Sequence, residues 1–147
     1  MKNLIVSVAA LLMTGVTPVL AHETGNDPRA EKVFATQFSG AENVKWFDLE
    51  DGFQRVLFTL NGIAVEAFYD QDAELVGTTR HLFFNQLPLL VMQSVNNKFT
   101  GAVIIEVKEI NNSNGTQYRI VLEQKDKKYQ LRLNSLGDVI EKEKVKK

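Results

Sequence analysis

Side chains able to do chemistry are few in this sequence. It has no cysteine, and its two histidines, His22 and His81, stand far apart. Hydrolysis usually takes a nucleophile with a base, a metal, or two carboxylates set in a pocket. The adjacent acids Glu50-Asp51 and Asp70-Gln71-Asp72 fall in stretches that read as turns, where carboxylates satisfy backbone N–H groups. Asp70, Asp72 and Glu74 alternate as the ligands of a calcium loop do, but the glycine and distal glutamate of the helix-loop-helix motif are missing. Cleavage after Ala21 would give His22 a free α-amine, and amine plus imidazole can chelate copper; no partner histidine follows to complete a site. The inventory predicts a protein that is not an enzyme, with no catalytic residue, no metal site and no cofactor.

Aromatic side chains are the better candidates for binding. Trp46-Phe47 and Phe83-Phe84 each place two aromatics side by side, and neighbours on a strand point to opposite faces. One of each pair is then free to lie off the core, where a desolvated aromatic carries much of an interface's energy. Phe83-Phe84-Asn85-Gln86 falls in a connection that also holds His81, and Tyr69 ends a predicted strand. The candidate partner-binding residues are Trp46, Phe47, Tyr69, His81, Phe83 and Phe84.

The elements that must position them follow from periodicity and turn chemistry. Asp27-Pro28 can cap and start a helix, Ala30, Val33, Phe34, Gln37 and Phe38 recur at helical spacing, and Gly40 stops it. Strands are predicted at residues 44–49, 53–60, 63–69 and 74–80, with Asn61-Gly62 as the strongest hairpin signal in the chain. Leu87-Pro88 opens a second helix with Val91, Val95 and Phe99 on one face, and strands follow at 103–110, 116–124, 128–134 and from Asp138.

The second half thus repeats the order of the first. Phe38-Ser39-Gly40-Ala41 lines up with Phe99-Thr100-Gly101-Ala102, and Asp72-Ala73-Glu74-Leu75-Val76 lies over Leu136-Gly137-Asp138-Val139-Ile140. This predicts an α+β fold of two tandem helix-plus-four-strand antiparallel meander repeats, at about residues 27–80 and 87–147, forming one sheet surface with helices on one face. Tyr118, Ile120 and Leu122 alternate with Arg119, Val121 and Glu123, so the other face is expected to be open to water or a partner.

Residues 1–21 read as a cleavable signal peptide: Lys2, an apolar run from Leu4 to Met13, Gly15 and Pro18, then Val19 and Ala21 before the cut. The run is shorter than the roughly 20 residues a membrane span takes. Residues 22–147 should therefore form one domain, periplasmic or secreted, with no stable membrane anchor. The formal net charge is −1, and the lysines are dispersed along strands with few aromatics between them, which argues against nucleic acid.

The run Phe38-Ser39-Gly40-Ala41-Glu42-Asn43-Val44-Lys45-Trp46, followed by Asn61-Gly62, Ala67-Phe68-Tyr69 and Thr79-Arg80 ahead of Leu87-Pro88, resembles the PepSY-like proteins exported by Bacteroides-type bacteria. That family is similar in fold to the β-lactamase inhibitor protein. The resemblance spans nearly the whole of residues 22–147 and implies a concave sheet surface, no catalytic residues, and the binding or inhibition of a protein partner. Ala73 departs from the pattern, at a turn position that often has glycine. The expected function is that of an exported binding protein acting through its open sheet face; the alternative is a periplasmic carrier of a small ligand or metal ion.

Overall fold

Residues 27–145 are described by the computed structural model. The expected leader at 1–21, His22 and the last two lysines lie outside the described residues. The chain is α+β and divides into two compact units, the first ending at Arg80 and the second beginning at His81.

In the first unit α1 (Pro28–Gln37) begins where Asp27 accepts the Arg29 N–H at 2.8 Å. Hydrogen bonds from the Arg29 side chain and backbone hold the Asp27 carboxyl below its ordinary pKa. The helix buries Ala30 and Phe34, as its apolar spacing requires. Four strands follow as an antiparallel meander: β1 (Glu42–Asp48), β2 (Gln54–Leu60), β3 (Ile63–Tyr69) and β4 (Leu75–His81). Asn61 and Gly62 both take positive φ in the β2–β3 hairpin, as that dipeptide predicts. Phe34 sits 5.0 Å from Phe58 and 5.6 Å from Trp46, edge to face, over a core that also contains Val56, Ala67, Tyr69 and Ala73.

In the second unit a 3-10 turn (Phe84–Gln86) precedes α2 (Leu89–Lys98), and four strands follow: β5 (Val103–Asn112), β6 (Gly115–Gln124), β7 (Lys127–Asn134) and β8 (Val139–Val145). These too form an antiparallel meander. Leu87, Val91, Val95 and Phe99 pack on Val107, Tyr118, Ile120, Leu122, Leu131 and Leu133. The helix starts two residues later than Leu87-Pro88 suggested, because Leu87 is an extended residue anchored in the core ahead of it.

The helix ends and the last turns of the two units share local geometry. Phe38 (φ −120°, ψ 54°) donates to the Phe34 carbonyl, and Phe99 (φ −127°, ψ 49°) donates to the Val95 carbonyl. Asp70 Oδ1 accepts from the N–H groups of Asp72 and Glu74, at 3.0 and 2.9 Å; Asn134 Oδ1 accepts from Leu136 and Asp138 at the same distances. Ala73 and Gly137 both have positive φ there. The alternating acids at 70–74 therefore serve a turn, with the Asp70 carboxylate turned onto its own backbone.

The sheet face away from the helices is not open along its length. Phe68 in the first unit, and Ile110, Arg119 and Val121 in the second, lie on that face and are buried. The alternation of β6 read as apolar against polar, but Val121 on β6 and Ile110 on β5 add buried apolar residues to the second face. Arg119, 1% exposed, reaches Glu106 Oε2 at 2.9 Å.

Candidate partner-binding surface

The six sequence-predicted residues divide between the units, Trp46, Phe47 and Tyr69 in the first and His81, Phe83 and Phe84 in the second. Trp46 and Tyr69 are brought into contact, with ring centroids 5.8 Å apart, but inside the first unit's core. Tyr69 is fully buried and donates its hydroxyl to Gln37 Oε1 at 3.1 Å, and burial pushes its pKa up to about 12. Both are correctly aromatic for an interface and wrongly placed for one: α1 covers the face of β1 and β3 on which they stand. Phe47 points to the other face and is half-buried, with the Arg55 guanidinium 5.0 Å from its ring centroid. Phe84 packs against the second unit's core.

Phe83 and His81 are exposed. The chain holds Phe83 out by tying down its neighbours: Leu82 donates to the Val107 carbonyl at 3.0 Å, and Leu82 and Phe84 both turn onto the core. The Gln86 side chain accepts the Phe83 N–H at 2.7 Å while the Gln86 N–H returns to the Phe83 carbonyl at 2.9 Å. With Leu87 buried just beyond, the turn is pinned at both ends and Phe83 stands 78% exposed. Leaving such a side chain in water forgoes about 2 kcal/mol of burial.

His81 Nδ1 lies 3.6 Å from Glu106 Oε1, the carboxylate that also meets Arg119. A carboxylate beside His81 is one element of an acid/base site. Here it is already occupied by the buried guanidinium, and among the described residues no group of three or more histidine, aspartate or glutamate side chains is placed to hold a metal ion.

Three further residues were missed by the sequence reading. Leu89 (63%), Leu90 (51%) and Leu136 (67%) are exposed. A Cβ at Gly137 would collide with the Leu90 carbonyl, so the β7–β8 turn sits against the start of α2 and places Leu136 near Leu90. The signal that could have found them is an absence of charge: residues 82–97 carry no charged side chain, whereas α1 has Arg29, Glu31 and Lys32. Along the same uncharged stretch, Asn85, Gln86, Gln93, Asn96 and Asn97 are exposed and polar but neutral. An apolar centre with a neutral polar border and depleted charge is the composition of a protein interface core.

The fold is BLIP-like. The structure is similar to that of a BLIP-like protein from Bacteroides fragilis, at TM-score 0.75 and 19% identity over 83% of this chain and 88% of that one. It is similar as well to a DUF2874 family protein from Bacteroides ovatus, at TM-score 0.76 and 17% identity over 82% and 89%. A third similar structure, of a protein inferred to be periplasmic from Bacteroides eggerthii, gives TM-score 0.74 and 16% identity over 82% and 90%. No family model matches the chain, and no curated protein matches it. The likeness is therefore one of fold, and it extends to the BLIP-like part of the sequence resemblance only. Among the described residues no helix is long and apolar enough to cross a membrane.

Proposed function

We propose that this is an exported, non-catalytic binding protein whose second unit docks a folded protein partner through Phe83, Leu89, Leu90 and Leu136. The observation that carries the reading is Phe83, held 78% exposed on a turn whose hydrogen bonds fix it there. With the backbone already fixed in the turn, only the two side-chain torsions of Phe83 remain to be ordered on binding. The uncharged border at residues 82–97 argues for a partner surface that is apolar and weakly charged. Export rests on the signal-like residues 1–21, and its periplasmic form is supported by the likeness to a protein inferred to be periplasmic. Inhibition of an enzyme partner is an analogy from the BLIP-like fold. The shared helix caps and final turns support the further reading that the two units are tandem repeats, and the PepSY-like ancestry belongs to the same proposal.

The test is affinity capture with residues 22–147 from an extract of the protein's own cell envelope and medium, followed by titration of the captured protein in purified form. Phe83→Ala and Leu90→Ala should each weaken binding by about tenfold or more, as truncation of a hot spot does. Lys125→Ala, on the β6–β7 turn, should leave it unchanged. Binding indifferent to both Phe83 and Leu90 would sink the reading.

A further inference from the structure

Strand β8 closes the second unit's sheet, and among the described residues it is hydrogen-bonded to β7 alone. Its pairing shifts by one residue between Leu133↔Val139 and Arg132↔Glu141, then runs regularly from Glu141 to Val145. Over that regular stretch the sequence is Glu141-Lys142-Glu143-Lys144-Val145. Lys142 stands opposite the core residue Leu131, so Lys142 and Lys144 share the helix-covered face and Glu141 and Glu143 the other.

Two of these charges are held in place. Lys142 Nζ lies 4.5 Å from the Tyr129 ring centroid and 5.1 Å from that of Phe99, and Glu141 Oε2 meets the Arg132 guanidinium at 2.5 Å. The regular stretch of the edge thus alternates in sign, with Glu141 and Lys142 held by their partners.

An antiparallel neighbour pairs residue against residue, and hydrogen bonds form only where both residues turn their N–H and C=O groups toward each other. In a folded copy of the same protein, the outward-turned residues of β8 have the same parity as in the first. Glu141 or Glu143 would therefore face Glu141 or Glu143 of the second copy, and lysine would face lysine. Like charges directly opposite destabilise the pair. An unfolded segment has no such fixed parity. A strand with the same alternation can slide by one residue, so that Glu141 meets a lysine, Lys142 a glutamate, Glu143 a lysine and Lys144 a glutamate.

We infer that the β8 edge is a strand-acceptor site, refused to a second folded copy of the protein and fitted to an extended peptide segment that alternates acidic and basic residues. Main-chain hydrogen bonds would hold the segment and the side-chain alternation would select it, as in other strand-addition modes. The inference draws on none of Phe83, Leu89, Leu90 and Leu136, so it stands or falls independently of the docking proposal.

The probe is a synthetic peptide with the sequence of residues 138–147, titrated into the isotopically labelled protein and followed by backbone amide shifts. Saturable shifts confined to β8 are expected. A peptide of equal composition with the glutamates and lysines regrouped in blocks should bind about fivefold to tenfold more weakly. Sedimentation at the same protein concentrations should show a monomer, and Glu143→Lys, which removes the like-charge opposition at Glu141, should raise self-association. No shift at β8, equal binding of the two peptides, a wild-type dimer with protected β8 amides, or a Glu143→Lys variant as monomeric as the wild type would each overturn the inference.

Discussion

Tyr69 ties α1 to β3 through a buried ring whose hydroxyl donates to Gln37, and burial holds its proton more tightly in the folded state than in the unfolded one. Its pKa is raised from 10.0 to about 12 by burial. Stability from this group is intact below pH 10, declines as pH rises and the unfolded hydroxyl ionises, and is fully lost once the folded one ionises as well. Denaturant midpoints measured from pH 9 upward should fall in the wild type and fall less in Tyr69→Phe. Gly137 and Ala73 give a second test at single positions. Gly137→Ala combines a positive φ with a collision against the Leu90 backbone carbonyl and should cost about 2–4 kcal/mol. Ala73→Gly relieves a left-handed residue but removes a buried methyl, two effects of about 1 kcal/mol each and opposite sign. Equilibrium unfolding should find that variant within about 1 kcal/mol of the wild type.

At the scale of elements, β6 and β7 follow from alternation, the turns at 70–74 and 134–138 from side chains that accept local N–H groups, and the β2–β3 hairpin from the positive φ of Asn61-Gly62. The β6–β7 hairpin is the exception: Lys125 and Asp126 both take positive φ where Asn-Gly would be expected. Asp126→Gly relieves the left-handed conformation but loosens the unfolded chain, two effects of opposite sign, and should stay within about 1 kcal/mol of the wild type in a denaturation series. The helices were legible in the sequence because Asp27-Pro28, Gly40 and Gly101 mark their ends and Phe34, Val91 and Val95 their buried stripes. The turn at residues 134–138 was legible only as a match to residues 70–74. Its role in bringing Leu136 to Leu90 was not, because a close approach between a turn and a helix leaves no periodic trace. Trp46 and Tyr69 were legible as aromatics but not as core, since the side of a strand that a helix will cover is a tertiary choice.

On the scale of the whole molecule, composition excluded catalysis by cysteine and any disulfide within the chain. It did not reveal that the face away from the helices is buried at Phe68, Ile110, Arg119 and Val121. Arg119 makes the consequence measurable. Glu106→Ala strips one partner from a fully buried guanidinium and should cost about 2–3 kcal/mol, toward the low end for a broken buried pair because Glu106 keeps some contact with water. A loss below about 0.5 kcal/mol, typical of a surface ion pair, would mean that the guanidinium is anchored elsewhere. The charge-free stretch at 82–97 was in plain view, yet its meaning depended on knowing which of its apolar residues the core leaves out.

The single tryptophan, Trp46, lies in the core of the first unit, against Phe34 and Tyr69. Intrinsic fluorescence excited at the indole therefore watches one half of the chain and is blind to the other, whereas far-ultraviolet dichroism watches both. Superimposable melting curves from the two signals would establish that the halves give way together. A fluorescence transition offset from the dichroic one would resolve two thermal events in a chain with no covalent cross-link to couple them.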